Sequence, residues 1–188
     1  MGTSKVEAMA DRELARREAD ADRAAAFHAL ADRHLDASYR LAHAILGQRA
    51  EAEDATHDAF VAAWRNWSTL RDPDLFEHWF DRILVNTCRN RLRQISRWRS
   101  HDLSIDQSSA ASDDYGPTHD RGLLGPALAH LAPDQRVVLA LRFYRDLSIE
   151  QIAARIGTRP GTVKSRLHRG LRSLRTVLDQ ADPQRTLR

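Results

Sequence analysis

The side chains best suited to contact another molecule lie in the stretch 161–175, GTVKSRLHRGLRSLR. Apolar residues recur there at helical spacing and predict a packed face made of Val163, Leu167, Leu171, Leu174 and Leu178. The other side carries the polar and basic residues Thr162, Lys164, Ser165, Arg166, His168, Arg169, Arg172 and Arg175. Lysine and arginine neutralise phosphates, and arginine also pairs with guanine edges. This helix therefore predicts binding of a nucleic acid.

A second helix and a tight turn precede the basic helix and would position it. Ser148 and Gln151 have the spacing of a capping box, which predicts a helix start. Gly157 follows the last apolar residue of that helix, where a left-handed C-terminal position is favoured. Pro160 can open the basic helix, because its missing N–H would be unpaired there anyway. The stretch 146–178 is thus typical of a helix-turn-helix whose second helix enters the DNA major groove.

The charge distribution indicates a second contact with a polyanion. The net charge is +3, but residues 121–188 carry +8 and the first 120 residues carry −5. Within that acidic part, residues 82–99 hold six arginines and no acid. Solvated helix faces are the alternative interpretation of either patch. Two patches on separate segments, one of them in a helix-turn-helix, favour nucleic acid as the partner.

Two helices are predicted before the second patch. Apolar spacing begins at Phe27 and stops at Gly47, and a second helical pattern runs from about residue 50 to 67. The first turns of the second helix carry the acids Glu51, Glu53, Asp54 and Asp58. These acids either complement the helix dipole or form a protein-binding face. Residues 1–24 are predicted to be a charged helix or a frayed extension.

A turn introduces the arginine-rich segment. Asp72-Pro73 breaks the helical pattern, and Asp74 with Glu77 is predicted to cap a helix from about residue 75 to 97. Bases can stack on aromatic rings while arginine neutralises phosphates, so this helix favours a single-strand binding surface. For its aromatic side chains, a place in the core is the alternative.

The second half of the chain is predicted to be a separate helical domain. Residues 99–122 are rich in Ser and Asp and lack periodicity, which predicts a flexible acidic linker. A helix from Pro133 to about Tyr144 then leads into the helix-turn-helix. No stretch shows the strict alternation of a half-buried strand. We therefore predict an all-α chain made of two small helical domains on a tether.

Several classes of protein are disfavoured. No apolar run approaches the roughly 20 residues needed to span a bilayer, and the N-terminus lacks the apolar segment of a signal peptide. Cys88 is the only cysteine, so the sequence predicts no intrachain disulfide. It contains no P-loop, no hydrolase motif and no histidine pair at ligand spacing. We expect a cytoplasmic protein that is not an enzyme and that holds neither a metal nor a cofactor.

Three blocks of the sequence carry a family resemblance. They are AEAEDATHDAFVAAWRNW at 50–67, FEHWFDRILVNTCRNRLRQ at 76–94 and GTVKSRLHRGLRSLR at 161–175. In this order, with a linker before the third, they resemble the extracytoplasmic-function (ECF) sigma factors of the sigma-70 family. These are the dissociable promoter-recognition subunits of bacterial RNA polymerase. One departure is Asp81, an acid where the family usually has an apolar or aromatic residue.

The resemblance implies a domain organisation. It comprises a charged N-terminal extension at 1–24, a sigma region 2-like bundle at 25–98, the linker at 99–122, a region 4-like helix-turn-helix domain at 123–180 and a frayed C-terminus at 181–188. The first domain would bind the polymerase clamp and melt the −10 element. The second would read the −35 element as duplex.

The resemblance also assigns residues to each contact. For the −35 element these are Thr162, Lys164, Ser165, Arg166, His168, Arg169 and Arg172. For the −10 element these are Arg71, Asp72, Asp74, Leu75, Trp79, Arg82, Asn86, Arg89, Asn90 and Arg93. For the clamp helices of the largest polymerase subunit these are Glu53, Asp54, Asp58 and Phe60.

The implied partners are core RNA polymerase, through its clamp helices and its flap, and promoter DNA. The resemblance leaves open whether an anti-sigma protein also binds, and it implies neither a membrane nor a small-molecule substrate. Two other functions stay open. One is a stand-alone helix-turn-helix regulator that binds duplex DNA as a dimer, which the arginine-rich first domain disfavours. The other is a sigma-like adaptor without promoter activity.

Overall fold

The described part of the chain is built from α-helices. A computed structural model describes residues 3–101, 127–128 and 130–181. The helices are α1 (Thr3–Leu46), α2 (Arg49–Arg65), α3 (Phe76–His101), α4 (Pro133–Tyr144), α5 (Ile149–Ile156) and α6 (Pro160–Ala181). Two short 3₁₀ turns, Trp67–Thr69 and Pro73–Leu75, connect α2 to α3. These residues contain no β-strand, so the all-α prediction is confirmed.

The chain divides into two compact units, Met1–Asp36 and Ala37–Arg188. Helix α1 begins at Thr3, so the first of the two alternatives predicted for residues 1–24, a charged helix, is observed, and it is continuous with the helical pattern that begins at Phe27. Alanine, arginine and glutamate have high helix propensity, which lets the charged N-terminal stretch continue the helix. An exposed ion pair one turn apart, Arg17 Nε to Glu13 Oε1 at 3.3 Å, adds a small local contribution.

Small residues on α2 allow it to pack closely against α3. Its buried face consists of Ala52, Ala55, Thr56, Ala59 and Ala63. From α3, Phe80, Leu84 and Cys88 are buried in the same unit. At the end of α1, Gly47 has a φ of 76°, which is the left-handed conformation that lets the chain turn sharply into α2.

The helix-turn-helix forms as its local signals predict. The Ser148 hydroxyl accepts from the Gln151 amide, and the Gln151 side chain accepts from the Ser148 amide, which completes the capping box. Gly157 is left-handed with a φ of 64°, and α6 begins at Pro160. The first helix of the motif buries Ile152 completely.

The packed face of α6 differs from the predicted one at a single position. Val163 is fully buried, and Leu167 and Leu174 pack against a cluster that includes Leu139 of α4. Leu171, which the periodicity placed on that face, is 41% exposed. Gly170 is buried there instead, because its missing side chain lets α4 approach α6 closely. The face is thus rotated slightly toward the smaller residue.

Helix α3 connects the two predicted domains. It packs against α2 and also against α4 and α5. The helix-turn-helix therefore lies on the first helical bundle in this structure, an arrangement that the local sequence signals did not predict. The predicted linker lies outside the described residues except for 99–101, which continue α3. In the described ranges, no helix is long and apolar enough to cross a membrane.

Candidate nucleic-acid interface

Helix α6 presents most of its predicted DNA-contacting side chains to solvent. Lys164, Ser165, His168, Arg169 and Arg172 are exposed, and Thr162 is half-buried at the first turn. The Ser165 hydroxyl donates to the Thr162 carbonyl at 3.0 Å, and Arg169 Nε donates to the Ser165 carbonyl at 3.3 Å. These bonds hold the side chains along the helix surface.

Arg166 is the exception on this face. Its Nη2 donates to Asp134 Oδ2, and Asp134 lies in the first turn of α4. The other oxygen of the same carboxylate accepts from Arg89 Nη2 of α3 at 3.1 Å. One carboxylate therefore holds an arginine predicted to contact the −35 element and one predicted to contact the −10 element.

The predicted −10 residues of α3 share one face of the helix. Their spacing, at 79, 82, 86, 89–90 and 93, follows successive turns. Arg82, Asn86, Asn90 and Arg93 are exposed, while Trp79 and Arg89 are half-buried. The structure thus brings together side chains that could follow a nucleic-acid backbone along one helix. Among them, Arg89 is held in an ion pair with Asp134.

The loop that precedes α3 carries the remaining −10 candidates. Arg71, Asp72, Asp74 and Leu75 are exposed, and Leu75 is 55% exposed although it is apolar. Asp72 Oδ1 accepts from the Asp74 amide at 2.9 Å. Asp72 therefore caps the short turn Pro73–Leu75, whereas α3 itself begins at Phe76. That Asp74 with Glu77 caps α3 stays a prediction. Pro73 fixes the first position of the turn, which places the cap on the residue before it.

Trp79 forms one wall beside this loop. Its Nε1 donates to Thr69 Oγ1 at 3.2 Å. Its ring lies edge-on to Trp67, with 6.5 Å between the ring centroids. Phe76 lies next to both rings and is fully buried. The aromatic cluster fixes the loop against α3 and leaves Trp79 half-exposed. Its side chain therefore packs on the aromatic cluster and is also accessible to solvent.

An acidic face on α2 is organised by Arg91 of α3. Arg91 contacts Glu51 at 2.9 Å, Asp58 at 2.7 Å and Asp54 at 3.4 Å. Burial lowers the pKa of Arg91, but the hydrogen bonds to Asp58 and Glu51 outweigh burial and leave it raised. Asp54 and Asp58 remain more than half exposed at their side chains. Arg91 thus fixes their positions without removing them from solvent.

The other two predicted polymerase contacts lie in different environments. Glu53 is exposed and pairs with Arg49 one turn earlier, at 2.8 Å. Phe60 is half-buried and stacks on Phe80 at 4.4 Å between ring centroids. Packing against a fully buried ring assigns Phe60 mainly to the core.

A buried ion-pair cluster lies between α3 and the helix-turn-helix module. Asp81 is fully buried, and its Oδ1 accepts two hydrogen bonds from Arg145, at 2.8 and 3.1 Å. Arg155 Nε lies 3.2 Å from Asp81 Oδ2. Burial raises the pKa of the Asp81 carboxyl, although Arg145 and Arg155 act in the opposite direction. The sequence marked Asp81 as unusual, but its partners lie more than 60 residues away and were not predicted.

Cys88 is a free, buried cysteine on α3. Burial raises the pKa of the Cys88 thiol to about 12, which leaves it neutral and unreactive. In the described ranges, no cluster of three or more His, Cys, Asp or Glu side chains could hold a metal ion.

Comparisons with known proteins connect these surfaces to a family. Residues 30–99 match Sigma-70 region 2, and residues 121–174 match Sigma-70, region 4. The chain is 36% identical over 155 residues to the ECF RNA polymerase sigma factor SigE of Mycolicibacterium smegmatis. That match covers 79% of this chain and 60% of SigE.

Two further relatives match over nearly their whole length. The ECF RNA polymerase sigma factor SigL of Mycobacterium tuberculosis is 34% identical over 170 residues, which cover 86% of this chain and 94% of SigL. The sigma factor RpoE of Bartonella quintana, solved in complex with the anti-sigma factor NepR, superposes with a TM-score of 0.68 at 26% identity. That superposition covers 81% of this chain and 96% of RpoE. With both sigma regions in order and a relative matched almost end to end, the chain belongs to the ECF sigma factors of the sigma-70 family.

Proposed function

We propose that this chain binds core RNA polymerase and directs it to promoters. In this proposal residues 25–98 bind the polymerase clamp and open the −10 element, and residues 123–180 read the −35 element. The observation that carries the proposal is the presence of two cationic helix faces, on α3 and on α6, in one chain of the sigma family. Sigma factors are not enzymes, and the polymerase performs the chemistry.

The −35 element would be read by α6 in the major groove. Exposed cations along one side of a helix can reach base edges from its first turns and phosphates from its later turns. The base-reading candidates are Lys164, Arg166, His168 and Arg169, with Ser165 beside them. Thr162 lies near the helix N-terminus, where a phosphate is favoured. Arg172 follows Thr162 by about three turns and is assigned to a phosphate.

The −10 element would be opened by the loop before α3. A base held outside the stack lowers the cost of opening the duplex, which is otherwise a few kcal/mol. The exposed loop residues Arg71, Asp72, Asp74 and Leu75 surround the position proposed for that base. Trp79 offers a ring edge beside it, and the α3 face made of Arg82, Asn86, Arg89, Asn90 and Arg93 would follow the separated strand.

The acidic face of α2 is proposed to bind the polymerase clamp. Asp54 and Asp58 are exposed and held by Arg91, so little side-chain freedom would be lost on binding. Glu53 lies on the same helix and adds charge. Phe60 supports this face from beneath through its stacking on Phe80. The helix-turn-helix module is proposed to contact the polymerase flap.

The proposed surroundings follow from the same function. A sigma factor acts where the polymerase and the chromosome are, so we place the chain in the cytoplasm. The Bartonella quintana relative was solved with an anti-sigma factor bound. We propose that this chain is also held inactive by an anti-sigma protein, in addition to binding polymerase and promoter DNA.

A run-off transcription assay tests the function against its alternatives. The purified chain and core polymerase are incubated with a library of promoter fragments, and transcripts are sequenced. We expect initiation from fragments that share a −35 and a −10 motif, and none from core polymerase alone. Binding of the free chain to a palindrome without initiation would indicate a stand-alone regulator. Polymerase binding without initiation would indicate an adaptor.

A further inference from the structure

Arg166 lies at the edge of the packed face of α6 and not on its exposed side. It is one turn from Val163 and one turn from Gly170, both of which are buried. Its side chain is 21% exposed, whereas the preceding Lys164 and Ser165 are exposed. Among the residues proposed to read the −35 element, Arg166 is therefore held against its own domain.

The partner of Arg166 comes from the first turn of α4. Arg166 Nη2 donates to Asp134 Oδ2, and the Asp134 side chain is 40% exposed. The two helices approach closely at Gly170, where a Cβ would lie 3.3 Å from Gln135 Cβ. Gln135 follows Asp134 in sequence, and Gly170 lies one turn after Arg166. The missing side chain at Gly170 thus lets the carboxylate reach the guanidinium.

The pair lies within a single proposed domain. Asp134 and Arg166 both belong to residues 123–180, which are proposed to read the −35 element. The bond to Arg166 uses Oδ2, while Oδ1 accepts from Arg89 of α3 at 3.1 Å. Because the two bonds use different oxygens, the position of Arg166 is set by α4 and does not require the contact with α3.

The pair leaves Arg166 able to contact a base. A guanidinium has several N–H donors, and a bidentate contact with guanine O6 and N7 uses only part of them. Among the described residues, the contact with Asp134 uses Nη2 alone, so Nε and Nη1 can donate to a base edge. An arginine that is already held in place also loses less rotamer freedom when DNA binds.

We propose that Asp134 is a positioning residue for the −35 readout, and that it holds the Arg166 guanidinium in the orientation that contacts guanine. The inference rests on the proposed promoter-binding function and adds a specificity determinant to it. Asp134 contacts no base and acts through Arg166. Its charge by itself opposes DNA binding, because a carboxylate repels phosphates whatever the base sequence.

Replacement of Asp134 distinguishes positioning from charge. Without the carboxylate, Arg166 must become ordered when DNA binds, which lowers affinity for the preferred base pair by about three- to tenfold. Loss of a negative charge beside DNA raises affinity for all sequences together. Positioning therefore predicts a lower ratio of preferred to other base pairs at one position, whereas charge predicts an unchanged ratio.

Run-off transcription from a promoter library measures this ratio. Core polymerase and the full-length chain are incubated with fragments of an active promoter in which only the −35 element is randomised, and the transcripts are sequenced. The base pair that Arg166 reads is the one at which Arg166→Ala relaxes the choice. We expect Asp134→Asn to lower discrimination at the same base pair by about three- to tenfold and to leave the other −35 positions unchanged.

A double-mutant cycle tests whether Asp134 acts through Arg166. In an Arg166→Ala background, Asp134→Asn should have no further effect on discrimination, because the guanidinium that it holds is gone. Asp146→Asn is the matched control, since it removes an acid that is 97% exposed in the same proposed domain. We expect this control to leave the ratio unchanged at every position.

Several outcomes would overturn the proposal. One is unchanged discrimination in a folded Asp134→Asn chain, and another is an equal loss in Asp146→Asn. A further loss in the Arg166→Ala background, or no relaxed position in Arg166→Ala itself, would show that Asp134 does not act through a base contact of Arg166.

Folding of each variant is checked by circular dichroism. If Asp134→Asn does not fold, Asp134→Ala replaces it, because alanine also lacks the carboxylate and has the highest helix propensity, and the same outcomes apply. The proposed function is tested separately by the native chain. If the native chain gives no transcripts with core polymerase, the promoter-binding function is contradicted, and this inference is contradicted with it.

Discussion

Arginine side chains form the ion pairs that join separate helices in the described residues, and the partner of each one decides its role. Arg91 lies in the same basic stretch as Arg89 and Arg93, yet it faces three acids of α2. Arg93 is exposed on the neighbouring face. A stretch that is uniformly basic in sequence thus divides into a structural side and a DNA-binding side.

The two arginines at different turns of α6 are expected to respond differently to removal. Arg166→Ala should relax the choice of −35 sequence, because an arginine–guanine pair contributes about 1–3 kcal/mol of discrimination. Arg172→Ala should weaken all sequences equally and reduce the log–log salt slope by roughly one. Binding to a −35 duplex library at several salt concentrations measures both effects. Equal losses on every sequence for Arg166→Ala would contradict its base contact.

Cys88 is expected to make stability depend on alkaline pH. Its pKa is raised to about 12 in the folded chain, while an unfolded cysteine has a pKa of about 8.5. Between these values the folded state retains a proton that the unfolded state releases, so the free energy of unfolding falls as pH rises. Relative to Cys88→Ala, the native chain should lose about 2 kcal/mol more between pH 8 and pH 10.

Urea unfolding of both proteins at each pH measures this difference. Lysine and tyrosine also titrate in this range, but they are common to both proteins and cancel in the comparison. Parallel pH dependence of the native chain and Cys88→Ala would show that the thiol is not buried in the folded state.

At the scale of the helices, local signals determine where elements begin and end, and close contacts determine how they pack. The capping box at Ser148, left-handed Gly157 and the start at Pro160 need only neighbours in sequence. The slight rotation of the packed face of α6, by contrast, depends on its contact with α4. Gly170 is buried in place of Leu171, and α4 lies so close to it that a side chain at position 170 would meet Leu139 and Gln135.

Substituting that glycine tests the close approach. A Cβ at Gly170 would lie 3.0 Å from Leu139 Cδ1 and 3.3 Å from Gln135 Cβ. Overpacking costs about 1–3 kcal/mol, and the helix propensity of alanine returns roughly 1 kcal/mol. We expect Gly170→Ala to destabilise the chain by about 1 kcal/mol in urea unfolding. Gly161→Ala on the same helix is the control, because a Cβ there has no neighbour within 4 Å, and it should stabilise the chain slightly.

At the scale of the whole molecule, Arg136 connects α4 to the end of α1 through backbone carbonyls. From α4 it donates to the Ile45 carbonyl at 3.0 Å and to the Leu46 carbonyl at 3.4 Å, at the end of α1. It also donates to the Leu131 carbonyl, just before α4. Carbonyls at a helix end have no intrahelical partner, so this buried guanidinium serves as the C-terminal cap of α1.

Removing this connection should lower stability and cooperativity together. Arg136→Ala leaves buried carbonyls unpaired, so we expect the free energy of unfolding to fall by about 2–3 kcal/mol. We also expect a smaller urea m-value, because α1 and the helix-turn-helix domain would unfold less cooperatively. Arg175→Ala, which removes a side chain that is 85% exposed, should change neither quantity. An unchanged m-value in Arg136→Ala would show that α1 and the helix-turn-helix domain unfold as one unit without this contact.

The sequence alone determined the helices, the helix-turn-helix and its exposed cations, because capping, turn and periodicity signals act between residues a few positions apart. It also identified the two basic faces and the family. The tertiary structure decided that Arg91 serves the acidic face, that Asp81 pairs with Arg145 and Arg155, and that Asp134 occupies one arginine from each DNA face. These pairings join residues 32 to 74 positions apart. Charge type and local spacing carry no information on which distant group meets which, because that depends on how whole helices pack.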